Sequence, residues 1–578
     1  MARWRKRTPD ARVVDSLSRQ TRLPGFLARL LVNRGHTEPA EVERHLTASP
    51  MGLHDPQLFE GMDAAADRIL RAVRDGETIL VHGDYDVDGV TGTSLLMRLL
   101  RLLGADAVWH IPNRLVDGYS FGAHSIERAR TTGAKVVISV DNGTSAVDVI
   151  DGLCELGVDT IVTDHHEPPP PGPDGEVRLP DALAILNPKL PGSSYPWREL
   201  CGGAVAFKLA WGVVQARAGG RKSTAEEKVF LEEATAYVAI ATVCDVVPLV
   251  DENRVFARYG LKALAQSKSP GLEALLRVAG LAGRPLTAED VAFQIGPRIN
   301  ASGRLGSAET AVECLLAADE SGARDLAHQL DQLNQKRRTI EREVLVEARR
   351  EAERFPDDPV LFVAGQGWHQ GVVGIVAARL TEEFHRPAIV IGLDGDEGRG
   401  SARTVEGFDV LAAMSGARDH LERFGGHTQA AGLEIRSERV EAAREAVQVR
   451  ARELLADGGP NEEELWIDVE LPFRDMTTDT MRHLDRLAPF GEENAKPVFL
   501  SSGVHLARPA REVGQDGGHL MLSLRDGDHV LKAMAFRQGE RLGELAMGKP
   551  IDVVYTPRWN TFRGETNLEL ELIDFRKS

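Results

Sequence analysis

The apolar and polar positions divide the chain into successive stretches of different period. In the first, short β-branched runs alternate with longer helical patterns, which predicts an α/β domain built on a parallel sheet. "TILV" (Thr78 to Val81) leads into "HGDYDVDG", and "TGTSLLMRLLRLLG" behind it reads as a helix closed by Gly104. "KVVISV" ends at Asp141, and "DTIVT" ends at Asp164, His165 and His166. A further apolar stretch, "YVAIATVC", continues a helical pattern and reads as a buried helix that delivers Asp245. Next, "DLAHQLDQLNQKRRTIEREVLVEARREAERF" runs without Gly or Pro, and at ~1.5 Å per residue it spans roughly 45 Å. Its heptads are not sustained, so it predicts a connector between domains rather than a coiled coil. Its arginines are interleaved with glutamates and read as a solvated face. "PVLFVAGQGWHQGVVGIVAARLTEEF" followed by "RPAIVIG" then predicts strand–loop–helix–strand, with a Gly-rich loop able to offer backbone N–H groups to phosphate. Beyond residue 460, about five β patterns separated by Gly/Asp turns suit an OB-fold barrel.

An Asp after a strand is ordinarily a turn residue or a helix N-cap. Apolar segments that repeatedly end in Asp, one with two adjacent histidines, exceed that explanation. Asp84, Asp86 and Asp88 before Gly89 imitate the first half of a calcium loop, but Leu95 stands where the closing Glu belongs, and a strand precedes the motif. Carboxylates and imidazoles converging without thiolates suit Mn²⁺ or Mg²⁺. Cys154, Cys201, Cys244 and Cys314 form no CxxC pair and no zinc spacing; they read as buried thiols of a reducing compartment, so a cytoplasmic location is expected. The net charge of −18 argues on its face against nucleic acid. It averages over all domains, however, and leaves room for a local basic groove. No run approaches the ~18 apolar residues of a membrane span, and "MARWRKRTPD" lacks the apolar core of a secretory signal.

"VHGDYDVDG", "VDNG", "TDHHEP" and "CDVVP" resemble the four ordered motifs of the DHH phosphoesterase superfamily. "IPNRLVDGYSF", "GPRINASGRLG", "GSARTVEGFDV" and "FGGHTQAAGLEI" narrow the resemblance to the RecJ family of single-strand-specific 5′→3′ exonucleases. Pattern and resemblance together imply a multidomain α/β protein. Its expected parts are a helical lead-in (1–50), a DHH parallel-sheet catalytic domain (51–250), a connector with the long helix (251–355), a smaller α/β DHH-associated domain (356–455) and a C-terminal OB-fold barrel (460–578).

The resemblance implies two Mn²⁺ or Mg²⁺ ions held by His82, Asp86, Asp88, Asp141, His165 and Asp245, with Asp141 shared. Asp86, Asp88, Asp141, His165, His166 and Asp245 would be catalytic, His166 toward the phosphate, with Asp84 and Asp164 behind the ligands. Two such ions activate a water and shield the attacking and leaving oxygens of a phosphodiester. Arg114, Arg298, Asn300, Arg304, Ser401, Arg403 and His427 are the expected phosphate contacts, and Trp559 a stacking platform beside Phe562 and Arg563. The implied activity is 5′→3′ hydrolysis of single-stranded DNA to 5′-mononucleotides in recombination and repair. The implied enzyme is a monomer working with a helicase and a single-strand-binding protein. The rival readings are a DHH enzyme for short oligoribonucleotides or cyclic dinucleotides, disfavoured by a strand-holding tail, and an inert DHH scaffold, disfavoured by the complete ligand set.

Overall fold

The computed structural model describes residues 3–113, 121–172, 175–456, 464–514, 517–562 and 565–578. Arg114 and Arg563 lie outside them, as does the side chain of Phe562. The first fifty residues carry a strand, β1 (Arg3–Lys6), and the helices Ala11–Thr21, Gly25–Asn33 and Pro39–Thr47.

The first sheet is made of β2 (Ile79–Gly83), β3 (Ala107–His110), β4 (Val136–Val140), β5 (Asp159–Thr163) and β6 (Ala184–Leu186), all parallel, in the order β3-β2-β4-β5-β6. Its strands read as unbroken apolar runs because helices cover both faces. Val81, Ile138 and Ile161 pack into the large core under the helices Val87–Leu103, Gly202–Ala218 and Ala225–Cys244, while Leu80, Val137 and Val162 face a smaller cluster with Ile150 and Leu153. The chain moves one way from β2 to β3 and the other way from β4 onward. The crevice at the C-terminal ends of β2 and β4 is therefore the topological switch point, where ligands of open α/β sheets gather.

The connecting helix runs over Glu320–Glu353, 34 residues, and starts at Asp319, whose side chain accepts the N–H groups of Ser321 and Gly322. Its first half buries Ala323, Ala327 and Leu330 in the large core of the parallel-sheet domain; its second half buries Val344, Ala348 and Ala352 against the next domain. That domain holds β7 (Leu361–Gln366), β8 (Ala388–Asp394), β9 (Glu397–Arg403), β10 (Leu421–Gly426) and β11 (Ala430–Arg436), a mixed sheet in the order β10-β11-β9-β8-β7.

The C-terminal strands are β12 (Glu464–Ile467), β13 (Val469–Glu470), β14 (Phe499–Val513), β15 (His519–Asp526), β16 (His529–Ala535), β17 (Ile551–Phe562) and β18 (Glu565–Lys577). From β13 on they run in the order β13-β14-β15-β16-β18-β17, and a β14–β17 pairing closes the barrel. The N-terminal segment departs from the expected lead-in. β1 pairs in parallel with β12, and Leu17, Leu27, Leu30, Leu31 and Leu46 share one core with Phe499, Tyr555 and Phe575 of the barrel. Residues so far apart in the chain leave no trace in a local period.

Arg254 fastens this unit to the parallel-sheet domain. It is 1% exposed. Nε donates to the His45 carbonyl at 2.7 Å, Nη1 to Leu487 at 2.8 Å, and Nη2 to Arg486 and Ala488 at 3.1 Å each.

Candidate metal centre and strand groove

Asp86 caps the helix Val87–Leu103: its Oδ1 accepts the N–H groups of Asp88 at 2.9 Å and Gly89 at 3.2 Å. Gly89 is obligatory here, since a Cβ would lie 2.4 Å from the Asp84 nitrogen. Asp88, in the first turn, is buried, and its two oxygens accept the N–H groups of Gly202 and Gly203 at 2.6 Å each. These open the helix Gly202–Ala218, so the positive end of its dipole meets the carboxylate. A Cβ on Gly202 would lie 2.6 Å from Asp141 Cβ. Sequence reasoning passed over this pair, although "CGGA" at the start of an apolar helix was its signal.

Asp141 follows β4 with φ 63°, and Val246, directly after Asp245, has φ 60°. A β-branched residue in the left-handed region is strained, and such strain persists where the surroundings over-determine it.

His165 Nε2 lies 3.1 Å from Asp141 Oδ1, 3.6 Å from Asp245 Oδ2 and 3.7 Å from Asp88 Oδ2. Three sets bring their donor atoms within 4.8 Å of one another: Asp88, His165 and Asp245; Asp141, His165 and His166; and Asp84, Asp86 and Asp141. Asp84, expected behind the ligands, thus stands level with Asp86. Asp164 is buried behind His166 and accepts from Thr144 N–H at 2.9 Å, His165 N–H at 2.7 Å and His166 Nδ1 at 2.8 Å. His82 is placed elsewhere: it is fully buried, hydrogen-bonded through Nε2 to Ser125 Oγ at 2.9 Å, and grouped with His110 and His124 instead of with the carboxylates.

Burial, with Asp86 beside it, pushes the Asp88 carboxyl up to about 7 against the pull of the glycine N–H groups. Asp141 and Asp245 are raised well above the carboxylate range, first by burial and then by their carboxylate neighbours. Burial, then cationic His166, lowers His165 to about 3, leaving a neutral imidazole. The hydrogen bond to Asp164 raises His166 to about 9. Burial works to raise Asp164, but the His166 and Thr144 hydrogen bonds outweigh it and hold the carboxyl low. The crevice therefore gathers acids that resist ionising without a cation, and Asp141 Oδ1 is buried with no hydrogen-bond donor. Its donors are oxygen and imidazole nitrogen, so the residues fit hard divalent ions such as Mn²⁺ and Mg²⁺.

A groove of about 1400 Å³ reaches Cys244 and Val246, which flank Asp245, and is lined by Asn300, Arg304, Arg338, Arg342 and Arg379. Arg338 and Arg342 are exposed and have no carboxylate partner among the described residues. The solvated face of the connecting helix thus also lines the groove. Positions 338, 342, 345 and 349 recur along one helix face, and that face lines the groove.

The other expected contacts divide. Arg304 donates to the Gly371 carbonyl at 3.2 Å, bridging the two α/β domains. Ser401 and Arg403 hydrogen-bond each other at 3.0 Å beside the first turn of the helix Val373–Phe384, where a Cβ on Gly374 would come 3.0 Å from Ser401 Oγ. His427 is exposed after β10. Arg298 differs from expectation: its guanidinium is held by Asp331 at 2.9 Å and the Gln294 carbonyl at 2.6 Å, so it ties its helix to the connector. Trp559 also differs, because it lies within β17, packs on the barrel core and donates Nε1 to Asp485 at 3.1 Å.

Comparison with known proteins follows the same division. A family model described as the DHH family, N-terminal domain, matches residues 78–242, and one described as the DHHA1 domain matches 357–453, which sets the class. A third, the RecJ OB domain, matches 467–574. The single-stranded-DNA-specific exonuclease RecJ of Bacillus subtilis is 35% identical over 99% of this chain and 70% of its own length. That of Dickeya dadantii is 35% identical over 98% and 97%. The crystal structure of RecJ in complex with Mn²⁺ from Thermus thermophilus superposes with a TM-score of 0.81 at 30% identity, over 100% of this chain and 80% of that one. The chain belongs to the RecJ family. Among the described residues no helix is long and apolar enough to cross a membrane.

Proposed function

We propose that this chain is a single-stranded-DNA-specific exonuclease that hydrolyses phosphodiesters with Mn²⁺ or Mg²⁺, works 5′→3′ and releases 5′-mononucleotides. The observation that carries the reading is continuity: the groove that reaches the flanks of Asp245 is lined by Arg338 and Arg342, which have no carboxylate partner among the described residues. Two ions held by Asp84, Asp86, Asp88, Asp141, His165 and Asp245 would supply an activated water and shield the displaced oxygens.

The chain's own residues do the rest. Gly202 and Gly203 fix the Asp88 carboxylate. His166 stays cationic up to about pH 9 and stands beside Asp141, where a scissile phosphate would meet it. The arginines of the connecting helix hold the backbone of a strand by charge and fork geometry, without reading bases. Ser401 and Arg403, at a helix N-terminus, suit the terminal phosphate. A monomer in the cytoplasm, supplied with single strands by a helicase and a single-strand-binding protein in recombination and repair, is the setting this reading implies.

A long single strand labelled at its 5′ end, incubated with Mn²⁺ beside a blunt duplex and a dinucleotide, tests it. Immediate release of labelled mononucleotide from the single strand alone is expected. Cleavage of the dinucleotide alone would move the chain to the small-substrate DHH enzymes, and release starting at the 3′ end would overturn the polarity.

A further inference from the structure

His82 and His110 end the neighbouring parallel strands β2 and β3 and are partners in the sheet register. His124 comes from the first turn of the helix Ala123–Thr132, which packs against β2. The three rings face one another as a triangle, with centroids 5.1, 5.6 and 5.6 Å apart and ligand nitrogens within 4.8 Å. A tetrahedral ion with bonds of ~2.0–2.1 Å to three imidazoles holds their ring centres about 5 Å apart, so the triangle needs only a small contraction.

His82 is 0% exposed, and one of its nitrogens is already held by Ser125 Oγ at 2.9 Å. The other, Nδ1, is buried with no hydrogen-bond partner. That division of labour, one nitrogen oriented by the protein and one left over, is how ligating histidines are built. Among the described residues the set contains no carboxylate, and its neighbours include Phe121, whose ring stands edge-on to His82 with centroids 4.8 Å apart. Three neutral nitrogen donors in such surroundings select a borderline ion over Mg²⁺ or Mn²⁺.

We propose that His82, His110 and His124 form a second metal site, separate from the carboxylate crevice, that takes a borderline divalent ion of the Zn²⁺ class. Such an ion would tie the ends of β2 and β3 to the helix Ala123–Thr132, on the β3 side of the switch point between β2 and β4. It leaves His82 out of the catalytic set and does not depend on the substrate.

The test uses the full chain, stripped with chelator, resupplied with saturating Mg²⁺ to fill the carboxylate crevice, and titrated with Co²⁺. One equivalent of Co²⁺ should develop the visible absorption of a tetrahedral nitrogen site, and Zn²⁺ should displace it. His110→Phe and His124→Gln, both at half-buried positions, should each weaken Co²⁺ binding at least about 100-fold, beyond the usual cost of an outer-shell change. Thermal melting shows that each variant is folded, and whichever of the two is folded decides. Asp141→Asn should keep the absorption. An absorption unchanged in folded His110→Phe or His124→Gln would overturn the site. So would its absence in the wild-type chain, or its loss in Asp141→Asn alone, which would assign it to the crevice.

Discussion

The seam around Arg254 and the crevice around Asp141 both bury charge, and they resolve it in opposite ways. At the seam one guanidinium, lowered to about 9 chiefly by burial, still carries its charge at neutral pH and spends its donors on backbone carbonyls. Several of those carbonyls follow the helix Thr478–Asp485, so the cation also meets the negative end of a helix. In the crevice, Asp86, Asp88, Asp141 and Asp245 face inward with no Lys or Arg salt bridge among the described residues. A buried charge whose hydrogen bonds are complete joins domains; one left incomplete is a site waiting for a ligand.

Removing one acid from the crevice breaks the comparison most directly. Asp141→Asn should lower the rate of strand hydrolysis by about 10³-fold or more, since it removes a charge common to two of the ligand sets. The same change should raise the melting temperature of the chelated protein, because a buried carboxyl that is costly to ionise is gone. Steady-state hydrolysis and melting in chelator measure the two; a rate within about tenfold of wild type would refute the shared-ligand role.

The seam should behave in the reverse manner. Arg254→Met should cost roughly 3 kcal/mol of stability, because buried carbonyls lose their donor, while the rate well below melting stays the same. Denaturant unfolding checks this, and a loss under about 0.5 kcal/mol would mean that water reaches those carbonyls. Gly202→Ala lies between the two: its Cβ would meet Asp141 Cβ at 2.6 Å. It should weaken Mn²⁺ binding about 10–100-fold with less effect on folding, read by metal titration of the melting temperature.

What could be read from the sequence follows the range of the interactions. Asp141, His165 and Asp245 were visible because each ends an apolar run, and the sheet and helix ends then bring them together. The parallel sheet, the connector and the barrel were visible for the same reason, since period and turn residues are local. Asp84 was ranked low because the ligand spacing was counted from His82, whose structural neighbours His110 and His124 are remote in sequence. Arg338 and Arg342 were hidden by the neighbouring Glu341 and Glu343; only the direction of the helix face decides that they line the groove. The pairing of β1 with β12, and the five carbonyl contacts of Arg254 across the domain seam, are tertiary facts that no local pattern carries.

The smallest expected effect separates the two centres by pH. Asp88 is raised to about 7 in the folded chain without metal, whereas an unfolded Asp titrates near ~3.9. Between those values the fold keeps a proton that the unfolded chain has released, so the cost that this group imposes on the metal-free protein is absent at acid pH and grows as pH rises toward 7. Above that, the cost of holding Asp88 ionised is fully felt. From pH 6 to pH 8 this one group should cost the metal-free protein on the order of 1 kcal/mol, while Mn²⁺, by pairing with the carboxylate, removes the cost. The stabilisation given by Mn²⁺ should therefore grow over that interval, and strand hydrolysis should fall off on the acid side as the ligands take up protons. Arg254 stays charged throughout, so Arg254→Met should shift the melting temperature with and without metal by the same amount at both pH values. Melting at pH 6 and pH 8, with Mn²⁺ and with chelator, measures all of these together. A metal stabilisation that is the same at both pH values would mean that Asp88 is already ionised in the empty crevice, and the contrast between the two buried centres would then rest on geometry alone.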